Sequence, residues 1–115
     1  MSSKVVTFTA ETFDIQALAA NQTTVVDFWA PWCPPCRALA PSIEALAAER
    51  TDVVVGKLDI DDHPEVAERY GVSNIPTVLV FRNGELAARS VGLVPLTRLR
   101  DLVAEPPKEV KEATA

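Results

Sequence analysis

The sequence is poor in the residues that build metal sites, with two cysteines and one histidine among 115 residues. A structural zinc site takes four ligands, so these three residues would need a carboxylate to complete one within the chain. Acidic residues outnumber basic ones by 16 to 11, and the net charge of −5 argues against nucleic acid and anionic membrane surfaces as partners. No apolar run approaches the roughly 18 residues of a membrane span. We therefore expect a protein that binds neither nucleic acid nor membrane.

The N-terminus also lacks the apolar core of a secretory signal, because residues 1–4 lead directly into a strand-like segment at residues 5–8. This absence predicts a cytoplasmic protein. At 115 residues, of which 48% are apolar, the chain is near the commonest domain size and shows no repeat or linker. We expect one domain over residues 1–105, followed by a mobile C-terminal tail over residues 106–115.

The most informative segment is the pentapeptide Trp32-Cys33-Pro34-Pro35-Cys36, which holds both cysteines. It stands between an apolar, β-branched stretch at residues 25–30 and a helical pattern at residues 37–50. Two cysteines three positions apart at a helix start lie on the same face of its first turn, so they can cycle between dithiol and disulfide with little backbone movement. The positive end of the helix dipole favours a thiolate on the first cysteine. This pattern predicts a redox centre.

Three other interpretations of the two cysteines are open. A structural disulfide that closes about four residues would stabilise the fold by roughly 2 kcal/mol at most. A zinc site would need ligands beyond the two cysteines and His63. Unreactive buried thiols fit poorly with the flanking prolines and Trp32. In a reducing compartment a cysteine pair is more often catalytic or metal-binding than structural, which favours the redox interpretation.

Strand and helix signals alternate along the chain, which predicts an α/β fold with a partly parallel sheet. Asn83-Gly84 between two strand runs predicts an antiparallel hairpin. Pro41 lies inside the second helix and is expected to kink it near Arg37. The buried stripe of that helix is expected to be Leu39, Ile43 and Leu46. The predicted strands are residues 5–8, 24–30, 53–60, 77–81 and 87–91. The predicted helices are residues 9 or 11 to 20, 33–50, 64–70 and 95–104.

The motif and several distant residues resemble those of the thioredoxin family. The matching residues occur in the family's order and at compatible spacing from Val5 to about Ala104: they are residues 26–36, Pro41, residues 57–61, Ile75-Pro76-Thr77 and Val91-Gly92. The resemblance implies a thioredoxin fold, an α/β architecture with a central five-stranded mixed β-sheet flanked by four helices. It also implies a thiol-disulfide oxidoreductase that reduces protein disulfides through a mixed-disulfide intermediate. Two positions depart from the family's pattern, since Pro34 and Asn74 stand where glycine is usual.

The resemblance also implies roles for individual residues. Cys33 matches the attacking nucleophile and Cys36 the resolving thiol, and Asp27 and Lys57 match a buried pair behind them. Only about 5–6% of X-Pro bonds in folded proteins are cis, so the assignment of Pro76 as the family's cis-proline rests on the resemblance alone. The substrate-facing groove is expected to contain Trp32, Pro34, Ile75, Pro76 and Gly92.

Asp27 interrupts a strand that is expected to be buried on both faces, where an unpaired carboxylate is costly. We interpret it as the proton acceptor for Cys36, with its pKa raised by desolvation. The alternative is an acid at a bulge that reaches solvent. For Lys57 the alternative to pairing with Asp27 is an ordinary edge-strand lysine.

Simpler roles are expected for four other polar or aromatic features. Trp29 should pack in the core, whereas Trp32 should be exposed beside the motif. His63 should be a solvated surface residue. The acidic residues Asp59, Asp61 and Asp62 are explained better by capping and solubility than by a cation site, because their spacing fits no calcium loop.

The resemblance implies two kinds of partner, disulfide-containing client proteins and a reductase that returns electrons to the protein. We expect a monomer that binds no cofactor and no metal, with electrons supplied by an NADPH-dependent thioredoxin reductase. Three alternatives remain: a redox-gated binding subunit of a larger complex, a thioredoxin-like oxidant or isomerase, and a cysteine-bridged dimer that holds zinc or an iron–sulfur cluster.

Overall fold

The computed structural model describes residues 4–104 and contains five strands and four helices in this range. No helix in this range is long and apolar enough to cross a membrane. The strands are β1 (Val6–Thr7), β2 (Thr23–Trp29), β3 (Val54–Asp59), β4 (Thr77–Arg82) and β5 (Glu85–Val91). The helices are α1 (Phe13–Ala17), α2 (Pro34–Glu49), α3 (Pro64–Arg69) and α4 (Leu96–Ala104).

The strands form one mixed sheet in the order β1-β3-β2-β4-β5. Strands β1 and β2 run parallel to β3, whereas β4 runs antiparallel to β2 and to β5. The turn between β4 and β5 has positive φ at Asn83 (54°) and Gly84 (81°), the conformation that a two-residue hairpin turn requires. The predicted α/β fold with a five-stranded mixed sheet and four helices is therefore confirmed.

Strand β2 is buried on both faces, which explains why its sequence is a nearly continuous apolar run. Val25 packs with α2 and α4 on one side of the sheet. Val26 and Phe28 pack with α1 and α3 on the other. The predicted stripe on α2 is also confirmed, since Leu39, Ile43 and Leu46 are all buried. Alternation along β2 therefore decides which helix each of its side chains meets.

The first helix begins later than the sequence predicts. Thr9 and Thr12 exchange side-chain and backbone hydrogen bonds, with Thr9 N donating to Thr12 Oγ1 at 3.0 Å and Thr12 N donating to Thr9 Oγ1 at 3.1 Å. Such local bonds compete with helical pairing, so residues 9–12 form a turn and α1 begins at Phe13. The prediction for residues 106–115 lies outside the described residues.

Candidate active site

The two cysteines are joined by a disulfide at the N-terminus of α2, with their Cα atoms 5.2 Å apart. Cys33 is the N-cap of the helix, and its Sγ accepts a hydrogen bond from the backbone N–H of Cys36 at 3.2 Å. Pro34 and Pro35 occupy the first two helical positions and have no N–H to offer. The Cys36 amide is therefore the first backbone donor of α2, and it is directed at the sulfur that would carry negative charge as a thiolate.

Segments distant in the sequence close around the disulfide. Each cysteine is only 2% exposed, and both pack with Ala30 and Ile75. The carbonyl oxygen of Ile75 lies 3.9 Å from Cys33 Sγ. The Ile75-Pro76 peptide bond is cis, as the resemblance implied. The structure thus brings Ile75 and Pro76 to the sulfur of Cys33, although they lie about 40 residues away along the chain.

Gly92 adjoins Pro76, because its N–H donates to the Pro76 carbonyl oxygen at 2.8 Å. Its φ of 97° suits glycine, and a Cβ at this position would meet no atom within 4 Å. The space in front of Gly92 is therefore open. The two flanking apolar side chains, Val91 and Leu93, are exposed.

Trp32 is 62% exposed, as predicted, but it is not a loose side chain. Its indole Nε1 donates a hydrogen bond to Asp61 Oδ2 at 2.8 Å, and Asp61 N in turn donates to Asp59 Oδ1 at 2.9 Å. The Asp59 side chain thus stabilises a local turn after β3, whereas the expected capping of α3 is not seen, because the N-cap of that helix is His63 and makes no side-chain cap hydrogen bond. Among residues 4–104 no group of three or more histidine, cysteine, aspartate or glutamate side chains is placed to hold a metal ion.

Asp27 lies in the middle of β2, and its side chain is buried with no hydrogen-bond partner for Oδ1. Burial raises the pKa of this carboxyl from 3.8 to about 7, against the opposing effect of the Lys57 charge. Asp27 is paired in register with β3 on one side and with β4 on the other. The alternative of an acid at a bulge that reaches solvent is therefore wrong. A carboxyl with such a pKa can take up or release a proton near neutral pH.

Lys57 lies opposite Asp27 in the register of β2 and β3. Strand β3 lies between β1 and β2, so the alternative of an edge-strand lysine is wrong. Within residues 4–104, however, no ion pair shorter than 4.0 Å joins Lys57 to Asp27. The ammonium Nζ instead lies 5.0 Å from the centre of the Trp29 ring. The buried pair implied by the resemblance is thus placed in register but is not in direct contact.

The arrangement is matched by known proteins. The family described as Thioredoxin matches residues 4–105 of the chain. The chain belongs to the thioredoxin family. Thioredoxin from Rhodospirillum rubrum is 44% identical over 92 residues, which cover 79% of this chain and 88% of that protein. Thioredoxin from Chlamydia caviae is 48% identical over 84 residues, covering 73% and 80%. Thioredoxin from Buchnera aphidicola is 39% identical over 104 residues, covering 90% and 96%.

Two contacts, the first of them in the site of this thioredoxin-family protein, were not predicted from the sequence. Trp29 was expected only to pack, yet it is half-buried with the Lys57 ammonium over its ring. The signal for this contact was present, because Trp29 lies two residues beyond Asp27 and so points to the same face of β2. His63 was expected to be solvated, but its Nδ1 accepts a hydrogen bond from the Ala10 N–H at 3.1 Å. No local signal marks that contact, which spans 53 residues of sequence.

Proposed function

We propose that this protein reduces disulfides of client proteins, with Cys33 as the attacking nucleophile and Cys36 as the resolving thiol. The observation that carries the assignment is the position of the disulfide, which begins α2 with Cys33 Sγ against the Cys36 N–H. In the dithiol form this amide and the helix dipole both stabilise negative charge on Cys33. Cys36 lies within the helix, and its sulfur is not at the N-cap where the Cys36 amide is directed. The two thiols are therefore not equivalent.

The reaction is an exchange of one disulfide for another. The Cys33 thiolate attacks a client sulfur, a bond forms between them, and the second client sulfur leaves as a thiolate. Cys36 then attacks the Cys33 sulfur, which restores the Cys33–Cys36 disulfide and releases the client as a dithiol. Two electrons pass from the protein to the client, and no bound cofactor takes part.

The surface around Cys33 supports binding of an extended client segment. Since each cysteine is only 2% exposed, a client sulfur must reach Cys33 by a narrow approach. Trp32 and Pro34 are exposed on one side of this approach, and the Ile75 carbonyl lies beside the sulfur on the other. The open space at Gly92 extends the same surface. We assign these residues, with Pro76, to the client groove.

Asp27 serves the second step as the proton acceptor for Cys36. Its side chain points to the side of the sheet that α2 covers, because Val25 on the same face packs with α2. With its pKa raised to about 7, the carboxylate can accept the thiol proton at neutral pH and later release it. Lys57 opposes that rise in pKa, and thereby keeps a fraction of Asp27 ionised.

Each turnover leaves the protein oxidised, so a second partner must return two electrons. We assign this role to an NADPH-dependent thioredoxin reductase, which would reduce the Cys33–Cys36 disulfide by the same exchange chemistry. This assignment is supported by membership of the family. A monomer working in the cytoplasm, where such electrons are supplied, remains our prediction.

Reduction of insulin disulfides by the dithiol form tests the proposed function. Wild-type protein should precipitate the insulin chains catalytically in the presence of a thiol reductant, whereas Cys33→Ser should show only the rate of the reductant itself, because the nucleophile is lost. Thermal unfolding of the reduced proteins provides the control that the variant is folded. Equal activity in Cys33→Ser and wild type would contradict the proposal.

A further inference from the structure

Three side chains on one face of the sheet form a set that the disulfide exchange does not yet explain. Asp27 and Trp29 are two residues apart on β2, and Lys57 lies opposite Asp27 on β3, so all three point to the side that α2 covers. Trp29 also packs against the cluster that contains both cysteines. The ring therefore lies next to the disulfide and contacts the ammonium of Lys57.

The Lys57 ammonium has two potential partners on this face, the Asp27 carboxylate and the Trp29 ring. A direct ion pair with Asp27 would be the expected arrangement for a half-buried lysine opposite a buried carboxylate. The ammonium instead lies over the Trp29 ring at 5.0 Å, a distance at which the negative face of an indole attracts a cation. Asp27 Oδ1 is left with no hydrogen-bond partner.

Few other charges act on this face. From β3 the second charged group is Asp59, which lies opposite Trp29 in the register and accepts a hydrogen bond from the Asp61 backbone. From β4 the register partner of Asp27 is Val78, which is uncharged. Of the titratable groups on α2, Cys36 alone is buried, and in the oxidised form it is held in the disulfide. Lys57 is thus the cation whose position sets the field at Asp27.

We propose that Trp29 is a positioning residue for the exchange reaction: its ring holds the Lys57 ammonium away from direct contact with Asp27, so that Asp27 Oδ1 stays free to accept the proton of Cys36. This inference rests on the proposed role of Asp27. A carboxylate in direct contact with the ammonium would hold its charge to lower pH and would be a weaker base. An ammonium lost to solvent would leave the carboxyl protonated at neutral pH. The ring holds Lys57 between these two extremes.

Titration of the Asp27 carboxyl in the disulfide form tests the proposal without any activity measurement. The cysteines do not titrate in that form, so no thiol titration overlaps that of Asp27. Carbon-13 NMR of labelled aspartate gives the Asp27 midpoint once its signal is identified by its absence from the spectrum of Asp27→Asn. Trp29→Leu should lower the midpoint by about half a pH unit, because the freed ammonium moves toward the carboxylate. Trp29→Phe keeps a smaller aromatic face and should lower it less. Lys57→Met should raise the midpoint, because the opposing charge is removed.

The double variant separates positioning from a change in hydration. If Trp29 acts through Lys57, adding Trp29→Leu to Lys57→Met should leave the midpoint where Lys57→Met alone puts it. An equal fall in both backgrounds would show that water entering the space of the ring causes the shift, and would overturn the proposal. An unchanged or raised midpoint in Trp29→Leu alone would also overturn it. Should Trp29→Leu fail to fold, Trp29→Met provides the same comparison.

The insulin assay on the same variants keeps this inference distinct from the proposed function. Trp29→Leu should slow insulin reduction at pH 7. The pH profile of the rate should also shift to lower pH, by the same amount as the Asp27 midpoint. The positioning role is supported if Trp29→Leu shifts the pH profile of the rate in the wild-type background but no longer shifts it when Lys57→Met is also present. Full loss of activity in the wild type would contradict the reductase function, and would leave the titration result to decide the role of Trp29 by itself.

Discussion

Asp27→Ala is expected to raise the free energy of unfolding at pH 8 by about 3 kcal/mol and to slow release of the mixed disulfide more than its formation. The stability gain arises because the wild-type carboxyl must ionise in a buried place without a hydrogen bond to Oδ1. The kinetic effect arises because Cys36 loses its proton acceptor, whereas attack by Cys33 does not depend on Asp27.

The sign of the pH dependence follows from the raised pKa. Between pH 3.8 and about 7 the folded protein holds the Asp27 proton more tightly than the unfolded chain does. Stability should therefore fall as pH rises through this window and level off above it. At 1.36 kcal/mol per pH unit the full loss is roughly 4 kcal/mol, and the small cavity left by alanine offsets part of the gain on removing the acid.

Urea unfolding of the disulfide form at several pH values between 4 and 8 measures this effect. The difference between wild type and Asp27→Ala should be small near pH 4 and should grow toward pH 7, since contributions from other carboxylates cancel in the difference. Asp62→Ala, which removes an exposed carboxylate, is the matched control and should show no such growth. A variant that is less stable than wild type at pH 8 and fully active would count against both halves of the expectation.

Gly56→Ala is expected to destabilise the fold by about 3 kcal/mol or more. Gly56 pairs with Val6 on one side and with Val26 on the other, in the interior of the sheet. A Cβ here would overlap the ring of Phe8 and would lie 2.7 Å from the Val6 carbonyl oxygen. The ring is fully buried with an edge-on contact to Phe13, and the carbonyl belongs to the neighbouring strand, so neither can move without cost.

Gly71→Ala provides the matched control for the glycine substitution. Its φ is 66°, but a Cβ would meet nothing within 4 Å, so only backbone strain of about 1 kcal/mol is expected. Denaturant unfolding of both variants should therefore place Gly56→Ala well below Gly71→Ala in stability. Equal small losses would show that β1 and Phe8 are loosely held, and that this end of the sheet is not packed as described.

The elements of the fold could be predicted because their signals are local. Alternation and apolar runs predict the strands, and Asn83-Gly84 predicts the hairpin that the structure shows. The order of the strands could not be predicted in this way, because nothing local places β3 between β1 and β2. The resemblance implied a five-stranded mixed sheet, and the order within it is shown only by the structure. The start of α1 was predicted too early, because the reciprocal bonds of Thr9 and Thr12 depend on side-chain geometry.

At the candidate site the cysteines could be identified from the sequence, but their surroundings could not. Residues 32–36 carry a redox pattern in their spacing and in their place before a helix. The cross-strand register determines which side chains lie beside Lys57. Only the folded structure therefore shows that its ammonium contacts the Trp29 ring and not Asp27. The link from His63 to the Ala10 amide likewise joins two segments that no sequence pattern connects.

Trapping of the mixed disulfide tests the central claim most directly. Cys36→Ser, reduced and then mixed with an excess of a disulfide-bonded peptide, should accumulate a covalent adduct that intact mass measurement detects and that peptide mapping places on Cys33. Cys33→Ser should accumulate none under the same conditions, and the wild type should release the reduced peptide. An adduct on Cys36 in Cys33→Ser at the same rate, or no adduct on Cys33 in Cys36→Ser, would contradict the assignment of Cys33 as nucleophile and Cys36 as resolving thiol.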